Sequence, residues 1–404
     1  MRRGCSGAAA IGWALASGAH LAAVSDGSAT VSSEVTTQLA EARGDGSNLP
    51  EMLPGLPGHG RSTRAIAFAP CAENATLDCG TLTVPVDYRE PFGDTVDIAI
   101  IRGRATNPTK RIGVIIGNPG GPGGSGVDFV LGIVPLPIAA RLREYFDVVS
   151  FDPRGVGRSR EVRCTSEGSP IPDDPDDAAL IRPFDEFSER HARACLEQNG
   201  SFAAHVGTMN TAREMEMLRR ALGERQITYA AGSYGSVLGA AYASMFPSRV
   251  RAMMLDGAVP PDFRDYLVED WAEMSAAFET SFQRLDQLCR RDAACALTSV
   301  GVVAAFDEVA ARLAAAPVSS PTGAVLTKAA FQDVISTLID FETLWSTIVD
   351  ALAAARAGDY SPLIALLPIL EGQSPPSFFA IRCSDYGTRK TAAEYLQPRR
   401  SPRR

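Results

Sequence analysis

The sequence predicts an α/β fold, with a mostly parallel, doubly wound sheet and an inserted helical region. Short apolar runs at residues 111–117, 146–151, 226–231 and 250–255 alternate with helical periodicity. This alternation is typical of parallel strands that are covered by helices on both faces. After these runs, residues 262–370 carry an almost purely helical, Ala- and Leu-rich pattern. The helical stretch is therefore predicted to be an insertion rather than part of the sheet.

Before the parallel strands, the sequence predicts an antiparallel strand pair at residues 82–87 and 95–104, rich in valine, isoleucine and threonine. Apolar periodicity predicts further helices over residues 127–145, 187–198, 211–222 and 237–246. Together with the parallel strands, these elements give the core of the fold.

The helical region is predicted to be a cap. An insertion that follows the strand ending at Leu255 would lie over the carboxyl edge of a parallel sheet, where ligands bind. A helical bundle that only fills space is the alternative. The predicted domains are a core at 61–261, the cap at 262–375, and the start of a returning core segment at 376–404.

The N-terminus predicts export. Residues 1–24 combine a basic start with an apolar stretch too short to span a membrane, as in a secretory signal peptide. A disordered Ala-rich leader is the alternative. Residues 25–60 are rich in Ser, Thr, Gly and Pro without periodicity, which is typical of a linker. The predicted location is the exterior, the periplasm or the cell envelope.

The cysteines agree with an oxidising compartment. Three local pairs suit disulfide bonds, and their members are Cys71 with Cys79, Cys164 with Cys195, and Cys289 with Cys295. If the leader is removed together with Cys5, Cys383 becomes the odd cysteine. Its partner would then lie in a part of the protein that this sequence lacks.

Composition excludes several classes of function. A net charge of −8 argues against nucleic acid or an anionic membrane as a partner. The sequence contains no Cys-x-x-Cys motif and no histidine cluster, so no metal or cofactor is predicted. The expected partner is a peptide substrate.

A candidate nucleophile, Ser233, lies between an apolar run and an Ala-rich helix, in the segment Ala231-Gly-Ser-Tyr-Gly235. Small residues allow the tight strand-to-helix turn that lifts a serine hydroxyl above a sheet. Acyl transfer through such a serine requires backbone donors for the tetrahedral oxyanion. The predicted donors are the amides of Tyr234 and Gly121, with Gly120 as the alternative to Gly121.

The glycine-rich loop at residues 118–126 also has a second interpretation, as a phosphate cradle. No Gly-Lys-Ser/Thr sequence follows the loop, and no acidic residue fits a dinucleotide-binding motif. The position of the loop one strand–helix–strand unit before Ser233 favours the oxyanion interpretation.

Three motifs occur in an order that resembles a known family: Pro119-Gly-Gly-Pro-Gly123, Asp152-x-Arg-Gly-x-Gly-x-Ser159 and Ser233-Tyr-Gly-Ser-x-Leu-Gly239. They are similar to the α/β-hydrolase family of prolyl and tripeptidyl aminopeptidases, in particular its secreted tripeptidyl-aminopeptidase-like branch of the S33 type. The resemblance implies an exopeptidase that releases short peptides or single residues from free N-termini. It also implies that the cap limits the length of the substrate.

The sequence departs from the family pattern at several points. Ala231 replaces the first glycine of Gly-x-Ser-x-Gly, and Ser236 replaces a threonine. In this fold the catalytic order is serine, acid, histidine. All histidines here precede Ser233, namely His20, His59, His191 and His205. The interpretation is a chain that lacks its last strands, with the acid and base outside it, which leaves open whether the chain is active or inactive as given. A genuine basic tail at 397–404 is the alternative.

Other residues carry weaker predictions. His191 and His205 are expected to be surface or loop histidines rather than the base, and Asp256 is expected to fix a loop. Asp152 and Arg154 are expected to support the oxyanion loop through an ion pair between them, with a role in catalysis as the alternative.

A free substrate N-terminus needs an acidic partner. The candidates lie in the first helix of the cap: Glu269, Asp270, Glu273 and Glu279. The alternative for each is a solvated helix face.

The sequence is therefore compatible with three functions. The preferred one is a secreted serine aminopeptidase that forms an acyl-enzyme at Ser233. The second is an esterase or another acyl hydrolase of the same fold, because a fold does not determine a substrate. The third is a non-catalytic remnant.

Overall fold

The computed structural model describes residues 65–164, 181–260, 266–321, 323–370 and 377–386. The predicted signal peptide and linker lie outside the described residues. So does the basic stretch at 397–404.

One mixed sheet organises the described part of the chain. It contains seven strands in the order β1-β2-β3-β5-β4-β6-β7. Strands β1, β2, β3 and β5 pair antiparallel in turn, whereas β5, β4, β6 and β7 are mutually parallel. The strands are β1 (Ala69–Pro70), β2 (Asp78–Pro85), β3 (Thr95–Gly103), β4 (Gly113–Asn118), β5 (Phe146–Phe151), β6 (Ile227–Gly232) and β7 (Val250–Asp256).

Helices connect the parallel strands and follow them. The helices of the core are α1 (Gly126–Ile133), α2 (Pro137–Leu142), α3 (Ile181–Asn199), α4 (Thr208–Ala221) and α5 (Gly235–Met245). The single helix predicted over 127–145 is wrong: the structure has two helices there. The chain contains Pro135 and Pro137 at this break, and proline ends a helix because it lacks the amide hydrogen and restricts the residue before it.

The sheet is covered on both faces, as the apolar strands predict. Val114 and Ile116 of β4 belong to a core cluster that includes residues of α4 and α5. Ile115, between them, belongs to a second cluster with Val127 and Val130 of α1. Since successive side chains of a strand point to opposite faces, this division shows a doubly wound sheet.

The helical region has a hydrophobic core of its own. Its elements are α6 (Tyr266–Arg291), α7 (Val302–Ala315), β8 (Val318–Ser319), β9 (Val325–Leu326), α8 (Lys328–Ile339), α9 (Trp345–Arg356) and α10 (Ser361–Leu366). Phe331, Ile348 and Leu363 are among the fully buried residues of this core. The last described helix, α11 (Ser377–Asp385), returns to the sheet, because Ala380 and Ile381 pack in the same cluster as β4.

Disulfide bonds join the three predicted pairs: Cys71 with Cys79, Cys164 with Cys195, and Cys289 with Cys295. Cys383 is disulfide-bonded as well. The prediction about its partner concerns residues outside the described part of the chain. Of the helices in the described ranges, none combines the length and apolar character needed to cross a bilayer.

Candidate active site

Ser233 occupies the turn between β6 and α5. Its backbone has φ of 53°, in the left-handed region that side chains other than glycine rarely adopt. The Ser233 amide donates a hydrogen bond to the carbonyl of Asp256 at the end of β7, at 2.8 Å. Only 7% of Ser233 is exposed. The sequence prediction of a strained turn carrying this serine agrees with the backbone geometry.

The turn is tight enough to exclude side chains nearby. A Cβ atom on Gly235 would lie 2.8 Å from the Cβ of Ala231 and 2.8 Å from Oδ1 of Asn118. Because real Cβ atoms do not approach this closely, glycine is required at 235. Ala231 fits only because its neighbour is glycine, which explains how the chain tolerates this departure from the family motif.

The glycine-rich loop after β4 lies directly against Ser233. A Cβ atom on Gly120 would lie 2.5 Å from the carbonyl oxygen of Gly232, 3.0 Å from the Tyr234 amide nitrogen and 3.1 Å from the Ser233 Cβ. Gly120 and Gly121 both have positive φ, of 90° and 109°. The backbone of this loop thus approaches the turn as closely as atoms allow.

Asn118 explains which loop amide remains available. The buried Oδ1 of Asn118 accepts the Gly120 amide at 2.9 Å. The Gly121 amide, in contrast, makes no hydrogen bond to any of the described residues. Of the two glycines that the sequence left as alternatives, the geometry therefore favours Gly121 as a donor to a ligand. The sequence analysis missed Asn118, although an amide at the end of a buried apolar strand is a signal for such a role.

Asp152 holds the junction between the glycine-rich loop and α1. Its Oδ1 accepts the Ser125 hydroxyl at 2.6 Å and the Val127 amide at 3.0 Å. Ser125 is also the N-cap of α1. Asp152 is fully buried and pairs with Arg158, at 3.7 Å.

The predicted ion pair between Asp152 and Arg154 is wrong. Arg154 is fully buried and pairs instead with Glu214 of α4, at 2.5 Å. It also donates to the carbonyls of Pro85 and Val86 at the end of β2. Arg154 therefore ties β2 to α4, because a buried guanidinium needs several acceptors at once.

A further contact reaches the turn from α11. The hydroxyl of Tyr234 donates to Oδ2 of Asp385, at 2.6 Å. The other oxygen of Asp385 accepts the Thr208 amide at the start of α4, at 2.7 Å. The sequence analysis missed Asp385, which lies 151 residues after Tyr234.

Within the described residues, no hydrogen bond joins the Ser233 hydroxyl to a histidine or a carboxylate, so no base is assigned there. The carbonyl of His205 accepts from Arg154 and Asn210, and the ring of His191 packs edge-on against Phe379 of α11. Burial lowers the pKa of His191.

The acidic candidates of the cap are not brought to Ser233 by any described contact. Glu273 is exposed, and Glu279 is exposed and accepts from Gln283 of the same helix. The side chains of Glu269 and Asp270 lie outside the described residues. Their role in binding a substrate N-terminus stays a prediction.

Comparison with protein families gives a match to the α/β-hydrolase fold family over residues 113–338, more than half of the 404 residues. The chain belongs to the α/β-hydrolase family. The match begins at β4 and ends in α8, so it includes the glycine-rich loop, Ser233 and most of the helical region. This membership confirms the fold class and the resemblance that the sequence motifs indicate.

Individual relatives of this α/β-hydrolase are peptidases and an esterase. Serine protease Hip1 of Mycobacterium tuberculosis is 39% identical over 232 residues, covering 54% of this chain and 42% of the relative. A tripeptidyl aminopeptidase of Streptomyces lividans is 31% identical over 320 residues, covering 75% of this chain and 59% of the relative. Carboxylesterase B of Mycobacterium tuberculosis is 34% identical over 239 residues, covering 57% of this chain and 45% of the relative. The chain thus spans about half the length of these relatives.

Proposed function

We propose that this α/β-hydrolase is a serine hydrolase that transfers acyl groups through Ser233. The observation that carries the proposal is the closeness of Gly120 to the Tyr234 amide nitrogen, which a Cβ atom on Gly120 would approach to 3.0 Å. Two backbone segments therefore lie against each other beside a serine in the strained turn conformation. Stabilisation of a tetrahedral oxyanion requires backbone amides beside the nucleophile, and this arrangement can supply them.

The proposed reaction follows from this geometry. The Ser233 oxygen forms a bond to the substrate carbonyl carbon while its proton passes to a general base. The amides of Tyr234 and Gly121 donate to the resulting oxyanion, and each such donor typically contributes about 3 kcal/mol to the transition state. The carbon–nitrogen bond then breaks, the base returns the proton to the leaving amine, and water hydrolyses the acyl-enzyme. Asp152 supports the loop that carries Gly121.

The proposal assigns no base among the described residues. A serine that has oxyanion donors but no base retains only a small part of the rate of a complete site. A base supplied from solution should therefore increase the reactivity of Ser233.

Peptides with a free N-terminus are the proposed substrates. The tripeptidyl aminopeptidase and the protease among the relatives support this choice, because they are 31% and 39% identical to this chain over 75% and 54% of its length. Acyl esters are the second candidate, favoured by the similarity to a carboxylesterase.

Labelling with a fluorophosphonate tests the reactivity of Ser233. The serine oxygen bonds to phosphorus, fluoride leaves, and the proton passes to the base. We expect slow labelling of the chain that imidazole accelerates, and no labelling of Ser233→Ala. The proposal would be overturned if imidazole did not change the labelling rate and Ser233→Ala were labelled as well. It would also be overturned if the unmodified chain were never labelled, which is what the non-catalytic alternative predicts.

Paired substrates test the specificity. Tripeptide p-nitroanilides with a free N-terminus should be cleaved in the presence of imidazole, and the same peptides with an acetylated N-terminus should be cleaved more slowly. Cleavage of p-nitrophenyl esters alone would favour the esterase.

We also propose that the protein functions outside the cytoplasm. Its disulfide bonds are typical of an oxidising compartment, in which exported proteins fold. Detection of the protein in culture medium or in a cell-envelope fraction would support this location, and its confinement to the cytoplasm would contradict it.

A further inference from the structure

The carboxylate of Asp385 connects three elements that are far apart in the sequence. It lies in α11, after the helical region, and it accepts hydrogen bonds from the Tyr234 hydroxyl and from the Thr208 amide. Tyr234 directly follows the nucleophile, and Thr208 is the first residue of α4. Asp385 thus joins the returning helix, the turn and α4 at one partly buried point.

The start of α4 is built to receive this carboxylate. The first amides of a helix have no partner within the helix, and a side chain at the N-cap normally accepts one of them. The N-cap of α4 is Gly207, which has no side chain. A Cβ atom on Gly207 would lie 2.8 Å from Oδ1 of Asp385. The glycine therefore leaves the room in which Asp385 caps α4 from another part of the chain.

The same carboxylate fixes the orientation of Tyr234. The ring of Tyr234 is buried, and its hydroxyl is held at 2.6 Å, a distance typical of a hydrogen bond to an ionised oxygen. The Tyr234 residue is also the N-cap of α5, so its backbone conformation sets where α5 begins. A ring held at its far end leaves little freedom to the backbone amide that faces the glycine-rich loop.

We propose that Asp385 is a positioning residue that holds the Tyr234 amide in place for the oxyanion. The proposal rests on the proposed function of Ser233. Asp385 accepts from Tyr234 and Thr208, and no described hydrogen bond joins it to Ser233, so in this proposal it acts through the Tyr234 side chain. Loss of the bond should therefore change the rate of the covalent step rather than the affinity for the reagent.

Two substitutions remove this bond from its two ends. Asp385→Asn keeps an acceptor for Thr208 and loses one for the Tyr234 hydroxyl. Tyr234→Phe removes only that hydroxyl and keeps the ring in the core, so it also serves if Asp385→Asn does not fold. Misplacement of a catalytic group by about 1 Å can cost on the order of 100-fold in rate. We expect either variant to lower the maximal labelling rate by about 10- to 100-fold at an unchanged half-saturating concentration of fluorophosphonate.

Glu216→Gln is the matched control. Glu216 is a buried carboxylate of α4 that accepts the hydroxyl of Tyr242 in α5, at 3.2 Å. Glu216 therefore accepts a tyrosine hydroxyl as Asp385 does. Its partner, Tyr242, lies farther along α5 and is not adjacent to Ser233 in the sequence. This variant should lower the melting temperature and leave the labelling rate of the folded protein unchanged.

The double variant Asp385→Asn/Tyr234→Phe decides whether Asp385 acts through Tyr234. Its labelling rate should equal that of Tyr234→Phe alone, because residues that act through one contact are not additive. The positioning role would be overturned if the losses in labelling rate of the two single variants multiplied in the double variant. It would also be overturned if Asp385→Asn lowered the melting temperature but left the labelling rate of the folded protein unchanged, as expected for Glu216→Gln. If the unmodified chain does not label, the proposed function itself fails, and the positioning role fails with it. If the unmodified chain labels and both single variants label at its rate, only the positioning role fails.

Discussion

The two strands that flank β6 contribute to the site in different ways. On one side, β4 is buried at every residue, and its loop packs against Ser233. On the other side, β7 pairs with β6 along its length, yet Met254 and Leu255 are 54% and 38% exposed. The contact of β7 with the turn is the backbone carbonyl of Asp256. The proposed oxyanion half of the site is thus part of the protein core. The β7 side contributes a backbone contact and, among the described residues, no general base.

The largest expected effect comes from placing a side chain between β4 and the turn. Gly120→Ala would put a methyl group 2.5 Å from the Gly232 carbonyl at a residue with φ of 90°, so the loop must move away. Because this displaces the oxyanion donors, we expect labelling of Ser233 to fall by about 1,000-fold, or about 4 kcal/mol of activation free energy.

Gly132→Ala is the control for that substitution. Gly132 lies in α1, and a Cβ atom there would meet no atom within 4 Å. This variant should keep the labelling rate and gain slightly in stability, because alanine favours a helix over glycine. Equal labelling by both variants would show that the loop is not part of the oxyanion site.

Substitutions in β4 and β7 should have a smaller effect, which is on the free energy of unfolding and differs between the two strands. Ile116→Ala in β4 removes a fully buried side chain, which should lower the free energy of unfolding by about 3 kcal/mol. Met254→Ala in β7 removes a half-exposed one, so we expect a loss below about 1 kcal/mol. Urea denaturation measures both. A loss in Met254→Ala as large as that in Ile116→Ala would mean that β7 is as buried in solution as β4.

The last substitution tests whether the helical region influences the site between β4 and β7. Burial raises the pKa of Asp333 in α8 to about 7. A carboxyl group with a raised pKa binds more protons in the folded than in the unfolded state between about pH 4 and pH 7. The free energy of unfolding should therefore fall as pH rises through this window. Asp333→Asn removes the cost, and it should be more stable than the unmodified chain by about 2 kcal/mol at pH 8 and equal to it near pH 4. This is about half of what about three pKa units correspond to, because solvent screens the partly exposed carboxyl group.

Asp359→Asn provides the opposite case in the same region. Hydrogen bonds from the Ser361 hydroxyl and amide lower the pKa of Asp359, so this substitution should not stabilise the protein at pH 8. The labelling rate of folded Asp333→Asn should have the pH profile of the unmodified chain. A changed profile would show that the helical region acts on Ser233, and the site would no longer depend on the flanks of β6 alone.

Local sequence was sufficient to predict the elements around Ser233. The apolar strands and the small residues near Ser233 are dictated by short-range physics, namely burial and a turn that excludes side chains. For the same reason, the bounds of β5 agree with the prediction at both ends. The predicted helix over 127–145 failed because the apolar periodicity continued across two prolines, and proline geometry decided the outcome.

The long-range partners of the site were not predictable. Arg154 pairs with Glu214, 60 residues later, and nothing in the local sequence distinguishes Glu214 from Glu216, the other acid of α4. The contact between Asp385 and Tyr234 depends on the helical region returning to the sheet, which no periodicity encodes. Gly207 was the available signal, since a helix that begins after glycine needs a cap from elsewhere.

The two anchors of the helical region have a consequence for how the substrate range of such a protein can change. Where the chain leaves the sheet, the Val259 amide donates to the Ser236 hydroxyl, at 2.9 Å. Where it returns, Asp385 binds Tyr234, two residues before Ser236. Entry and exit are thus fixed side by side, the arrangement in which an inserted domain can be exchanged without disturbing its host. A foreign helical insert joined at these two points would inherit the same nucleophile and could present it to different substrates.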